Sequence, residues 1–267
     1  DIRGKYPEGL NKEVAFRIAK AFCRQYPYAK KLAVARDPRI SSPFLTDSII
    51  EAFTEEGREV FYIGIAPDAL FYFSIFHYGY DGGVMISGSH NPKEHNGLTF
   101  NVRPSLDKEP QDVIGEELLR IKEKVLEDSE PYNERGKEYR AKSKRIDPSD
   151  DYISYVAERV NLARPLSVVI DSGNGSCGFL PERIFKRLGC EVKTLFPAFD
   201  GTFPNHMPDP YEEKNLMYIK QRVWDSDADI GFAYDTDGDR VAPIDNMGRQ
   251  ISGDLCLLVL ANQALKK

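Results

Sequence analysis

Asp235, Asp237 and Asp239 stand at alternate positions directly after an apolar run at 230–234, with Arg240 behind them. Three like charges ending a buried strand cost several kcal/mol per uncompensated ion, roughly, if kept dry. A divalent cation resolves the conflict, and donors that are all oxygen select Mg²⁺ or Ca²⁺ over zinc. An EF-hand is excluded, because its sixth and twelfth positions are here Arg240 and Asn246 rather than glycine and glutamate. Arg240 could orient the carboxylates or hold a phosphate oxygen. An acidic surface turn is the plainer alternative, disfavoured because the C-terminal ends of strands are where open α/β sheets bind ligands.

The second candidate is the run 81–92, a short apolar strand that passes into Ser87, Gly88, Ser89, His90, Asn91 and Pro92. Ser89 lies in a turn of small residues, and a serine acts as a nucleophile only when a base or a metal activates it. His90 is adjacent in sequence, which does not by itself bring its ring to Ser89. The pairing gains weight from the implied magnesium site, since a metal can polarise a phosphoryl group carried on that serine. His77 and His95 read as surface or packing residues. A third feature, the glycine-rich run 171–178, follows a strand and precedes a helix, where an anion could sit. It lacks the Gly-Lys-Ser/Thr of a phosphate loop and the spacing of a dinucleotide fingerprint, so it reads first as a tight structural turn.

These residues need strands to end on and helices to pack behind. Apolar runs at 32–35, 60–63 and 84–86 alternate with amphipathic stretches at 11–25, 46–57 and 111–127, a strand-helix rhythm. It returns as strands at 166–170, 191–196 and 230–233 and helices at 179–188 and 212–224. The expected fold class is α/β, two consecutive doubly wound domains. Apolar residues nearly vanish between 128 and 151, so the boundary is placed there, with domains at 1–140 and 141–267; the charged run 134–145 reads as linker.

Composition narrows the partners. Thirty-six Lys and Arg against 42 Asp and Glu leave a net charge of -6, so no basic field invites nucleic acid. The apolar run at 255–261 is far short of the ~20 residues of a membrane span. The chain opens at Asp1 without Met or an apolar leader, which predicts a trimmed start and no signal peptide. Four widely spaced cysteines predict reduced thiols in a soluble, cytoplasmic protein. Oligomeric state leaves no trace in the sequence.

Ser87-Gly-Ser-His-Asn-Pro92 with Asn96-Gly97, and Asp235-Thr-Asp-Gly-Asp-Arg240, resemble the α-D-phosphohexomutase family. Asp1-Ile-Arg-Gly4, Ala66-Pro67, Asp81-Gly82-Gly83 and Asp171-Ser-Gly-Asn-Gly175 extend the likeness. Asp200-Gly-Thr-Phe-Pro-Asn-His206, Pro208-Asp-Pro210 and Asn215-Leu216 are most similar to its phosphomannomutase/phosphoglucomutase branch. The resemblance implies two mixed-sheet domains and an isomerase that interconverts hexose 1-phosphate and hexose 6-phosphate, mannose or glucose. The reaction would pass through a phosphoserine and a hexose 1,6-bisphosphate, which also serves as activator. On this likeness Ser89 carries the phosphate, and Asp235, Asp237 and Asp239 hold Mg²⁺ together with a phosphoserine oxygen of Ser89. Arg3 and Arg240 stabilise the transferring group, His90 and Asn91 support the serine loop, and the two loops meet across a cleft. Two departures stand out: Thr99 occupies the place of a family lysine, with Lys93 nearby in sequence, and Thr236 stands where glycine is common. The family's third and fourth domains have no counterpart here, so this piece is expected to turn over little alone. Two other readings remain: a Mg²⁺-dependent sugar-phosphate phosphatase with Asp235 as nucleophile, and a non-catalytic sugar-phosphate-binding module.

Overall fold

The structure, a computed structural model, describes residues 2–104, 108–128, 131–132 and 142–265. It divides into two compact units, Asp1–Ser149 and Asp150–Lys267. Most of the charged run 134–145 lies outside the described residues, but its end forms a strand, β7 (Lys144–Arg145), that pairs with the first sheet, so residues up to 149 cluster with that unit.

In the first unit β1 (Ile2–Lys5), β2 (Lys31–Arg36), β3 (Glu59–Ile65), β4 (Gly82–Ile86), β5 (His95–Val102), β6 (Gln111–Asp112) and β7 form one mixed sheet, ordered β1-β5-β4-β2-β3-β7 with β6 beside β5. Helices cover both faces. Alternation along β2 sends Leu32 and Val34 into a core with α1 (Lys12–Gln25), α2 (Ser42–Glu55) and α4 (Glu116–Glu127). The opposite face meets α3 (Asp68–His77), where Gly83 leaves room for the Phe71 ring. α1 starts where Asn11 accepts the Val14 amide at 3.0 Å, a side-chain N-cap. α2 begins at Ser42, ahead of its apolar pattern, because Pro43 in the first turn has a preset φ and needs no amide partner. The expected helix at 111–127 starts only at Glu116: Gln111–Asp112 pair with β5, and Gly115, at φ +57, turns the chain between them.

The second unit holds α5 (Ser149–Ala157), β8 (Ser167–Asp171), α6 (Leu180–Arg187), β9 (Glu191–Leu195), a 3-10 turn (Glu213–Leu216), α7 (Met217–Asp225), β10 (Ile230–Tyr234), β11 (Val241–Asp245) and α8 (Gly253–Ala264). Its sheet runs β11-β10-β8-β9, with α7 against Val169 and Ala233 on one face and Phe185 of α6 against Phe232 on the other. The topology repeats that of the first unit. β4-β2-β3 and β10-β8-β9 are both parallel trios with the earliest strand in the middle, and β5 and β11 close each on the same side in antiparallel sense. The serine loop after β4 and the carboxylate loop after β10 therefore hold equivalent positions in their sheets.

All four cysteines are free thiols, with Cys23, Cys177 and Cys190 buried and Cys256 partly exposed. Burial pushes the Cys23 thiol up to about 11. A thiol reagent at about pH 8 is therefore expected to label Cys256 readily and the other three only after denaturation. Rapid labelling of a second thiol in the native protein would contradict this. No helix among the described residues is long and apolar enough to cross a membrane.

Candidate active site

The serine loop leaves β4 at Ser87 and is held from three directions. Arg3, on the edge strand β1, donates through Nη1 to the Ser87 carbonyl at 2.7 Å. Ser87 Oγ accepts the Ser89 amide at 2.9 Å, and Ser87 N reaches the Gly97 carbonyl across the sheet. The third anchor is Arg39, which neither composition nor motif singles out. Its side chain is 0% exposed, and all five of its N–H groups point at acceptors of this region. Nε donates to Asp37 Oδ2 (2.9 Å), Nη1 to the carbonyls of Pro92 (2.7 Å) and His95 (3.1 Å), and Nη2 to those of Ser89 (2.6 Å) and Asn91 (2.7 Å). Asp37, equally buried, also accepts the Gly88 amide and the Ser42 hydroxyl. Gly88 is required: a Cβ there would stand 2.4 Å from Arg39 Nε.

These anchors hold Ser89 at φ 49, a left-handed conformation that costs a non-glycine residue on the order of 1–2 kcal/mol. Such strain persists only where the surroundings over-determine it, as the Arg39 and Ser87 contacts do here. Ser89 Oγ lies 3.4 Å from His90 Nδ1, longer than the ~2.6–3.2 Å expected of a working nucleophile-base pair. Thr99 sits half-buried on β5 opposite Met85, and Lys93 is exposed in the turn after Pro92.

In the second unit one oxygen from each of Asp235, Asp237 and Asp239 lies within 4.8 Å of the others, the first two buried and the third exposed. Asp235 Oδ1 accepts the amides of Gly238 (3.0 Å) and Arg240 (3.1 Å), which curls the loop back on the strand end. Burial, with the charges of Asp237 and Asp239 beside it, pushes the Asp235 carboxyl up to about 9. Arg240 is the cation at hand; its Nε is 3.9 Å from Asp239 Oδ1, and its guanidinium lies over the Tyr211 ring at 5.7 Å. Three carboxylates gathered this closely, two of them buried, form an all-oxygen set that fits a hard divalent cation. The run 171–178 is a structural turn: the amides of Gly173, Asn174, Gly175 and Ser176 all donate to acceptors within the unit.

Residues 1–125 match the phosphoglucomutase/phosphomannomutase α/β/α domain I, and residues 150–248 match domain II. The chain belongs to the phosphoglucomutase/phosphomannomutase family. Over its whole length it is 32% identical to a phosphomannomutase/phosphoglucomutase of Pseudomonas syringae pv. tomato, covering 55% of that protein. It is 35% identical to a phosphoglucomutase of Neisseria meningitidis serogroup B, covering 56%. The crystal structure of a phosphoglucomutase/phosphomannomutase family protein from Burkholderia thailandensis superposes with a TM-score of 0.85 at 30% identity, over all of this chain and 58% of that one. The chain thus spans a little over half the length of the curated relatives it matches. Within this phosphohexomutase chain the serine loop belongs to the domain I match and the carboxylate loop to the domain II match, while α8 lies beyond both.

Proposed function

We propose that the chain carries the phosphoryl relay of an enzyme interconverting hexose 1-phosphate and hexose 6-phosphate, mannose or glucose, through a hexose 1,6-bisphosphate. Ser89 accepts and returns the phosphoryl group. The observation that carries this reading is the strained Ser89 backbone, braced by a fully buried Arg39-Asp37 pair that contacts the loop on both sides of it. Arg3, anchored on the Ser87 carbonyl, and Arg240, anchored beside Asp239, supply positive charge to phosphate oxygens. Asp235, Asp237 and Asp239 are the residues that would hold Mg²⁺. When bound, the ion supplies neutralisation of charge on a phosphoryl group in transfer.

The phosphatase reading asks Asp235 to be an ionised and reachable nucleophile. Asp235 is instead 0% exposed, and its Oδ1 is bonded to two loop amides. Incubation with Mg²⁺ and glucose 1,6-bisphosphate labelled in its phosphates, followed by peptide mapping, separates the readings. Label is expected on Ser89 and none on Ser89→Ala; label on Asp235 would make this a phosphatase, and none on either a binding module.

A further inference from the structure

The segment 200–210 marks the family branch, yet it contributes none of the residues assigned above. In the structure it locks onto the turn that follows β8. Asn205 Nδ2 donates to Asn174 Oδ1 (2.8 Å), the Asp200 amide to the Asn174 carbonyl (3.1 Å), and Asn174 Nδ2 to the Ala198 carbonyl (2.8 Å). At the centre lies His206. Its Nδ1 is 2.9 Å from the Met207 carbonyl, and its Nε2 is 3.1 Å and 3.2 Å from the two oxygens of Asp171, itself 1% exposed. The Met207 carbonyl can only accept, and Nε2 faces both oxygens of a carboxyl group, a geometry that suits a ring donating from both nitrogens. The groups that face it are the Asp171 carboxylate from the end of β8, the Tyr218 phenol ring from α7 at 6.2 Å, the Phe196 ring just after β9, and the Met207 carbonyl of its own segment. Burial alone pulls His206 down; the hydrogen bond and charge of Asp171, with the Met207 carbonyl, outweigh it and leave the ring raised above its ordinary value.

The same turn carries the carboxylate loop. Asp171 Oδ1 accepts the Gly173 amide, and three residues on the Ser176 amide donates to the Thr236 carbonyl at 2.6 Å. A Cβ on Gly175 would come within 2.9 Å of that same oxygen, so turn and loop touch backbone to backbone. Thr236 is the peptide between Asp235 and Asp237. A run of bonded contacts therefore leads from the ring to the carboxylate loop.

We propose that His206, protonated and bonded to Asp171, is a positioning residue for the cation site: it fixes the 171–176 turn, and the turn fixes the Thr236 peptide on which the spread of the Asp235 and Asp237 oxygens depends. The inference rests on reading those carboxylates as a cation site. Because the ring is raised on folding, the clamp is complete below the free-histidine value of about 6.5 and is lost as pH rises through the higher folded value.

The test uses the whole 267-residue chain. Nitrogen-15 NMR of the His206 ring and of the Ser176 amide is followed across pH, and Mn²⁺ binding is measured by calorimetry on wild type, His206→Gln and Asp237→Asn. The ring is expected to stay an imidazolium near pH 7, where a free histidine is mostly neutral, and the Ser176 amide to shift with the ring's titration. His206→Gln is expected to bind Mn²⁺ about tenfold or more weakly at that pH while remaining folded by circular dichroism. A Ser176 amide that stays flat through the titration overturns the clamp, whether or not the variant folds. Mn²⁺ binding that is equal in wild type and His206→Gln overturns the clamp alone. No Mn²⁺ binding by wild type, with Asp237→Asn indistinguishable, overturns the cation reading and the clamp with it.

Discussion

Arg39→Met is expected to destabilise the first unit by about 3–5 kcal/mol, the cost of leaving a buried charge without its partner. The side chain is enclosed on all sides, and its removal strips the donors from four carbonyls and one carboxylate at once. Methionine fills a similar volume, so the cavity contribution is small and the lost polar pairing decides the sign. Asp37 bears most of the loss. Its carboxylate keeps the Gly88 amide, the Ser42 hydroxyl and the backbone amide of residue 39, which are neutral donors, while Arg36 bonds its backbone carbonyl and not the carboxylate. Adding Asp37→Asn to Arg39→Met is therefore expected to recover part of the stability, because it removes the orphaned charge. Urea unfolding followed by circular dichroism measures both. If the double variant were no more stable than the single one, the cost would lie in the lost carbonyl contacts and not in the charge. The consequence for Ser89 is separable: with Arg39 gone, no fixed cation holds the Ser89 and Asn91 carbonyls, and the strained φ relaxes. Phosphate incorporation at Ser89 is expected to fall by more than the fraction unfolded explains.

The periodic elements were readable because burial of one face leaves a pattern. α1 shows apolar residues at helical spacing, and the parallel strands β2, β4, β8 and β10 are short apolar runs with turn residues after them. α3 was not readable: its sequence, DALFYFSIFH, is apolar on nearly every side, so no helical period stands out. β5 hides for the opposite reason. Asn96, Gly97 and Asn101 interrupt it, and Asn96 is there to bond the Ser41 and Ser42 hydroxyls at the start of α2. The chemistry-bearing loops were legible since charged and small residues directly after a buried strand are unusual in composition. Arg39 follows the same rule, two residues beyond Asp37 after β2, but an arginine in a short charged turn is ordinarily solvated. Only the tertiary arrangement brings five acceptors from residues up to 56 positions away around it. The His206-Asp171 pair, 35 residues apart, is likewise invisible until β8 and the 200–210 segment are placed.

Asp237→Asn is expected to weaken divalent cation binding by about a hundredfold or more while raising the stability of the cation-free protein. Both effects come from one charge. Asp237 is 3% exposed and lies beside Asp235, which is 0% exposed. Without a cation the unit must either hold like charges together away from water or keep a proton on Asp235, and its carboxyl, pushed up to about 9 by burial and its neighbours, takes the proton. An amide at position 237 removes one of the charges that force that proton onto Asp235, a relief worth about 1–2 kcal/mol or a few degrees in Tm at this size. The same amide removes a formal charge from the donor set, and a hard cation binds by ligand charge as much as by ligand number. Differential scanning fluorimetry with and without Mg²⁺ reads both effects: wild type is expected to melt lower than the variant without the ion and to gain Tm on its addition, while the variant gains little. A variant that melts lower than wild type in both conditions would mean that Asp237 is held by hydrogen bonds whose loss outweighs the repulsion, and that the loop is folded for its own stability more than for a cation. Should the variant keep the full Mg²⁺-dependent gain, the ion binds elsewhere. The opposite signs separate a loop built around a cation from an acidic turn, because a surface turn loses or gains little by the same substitution in either condition.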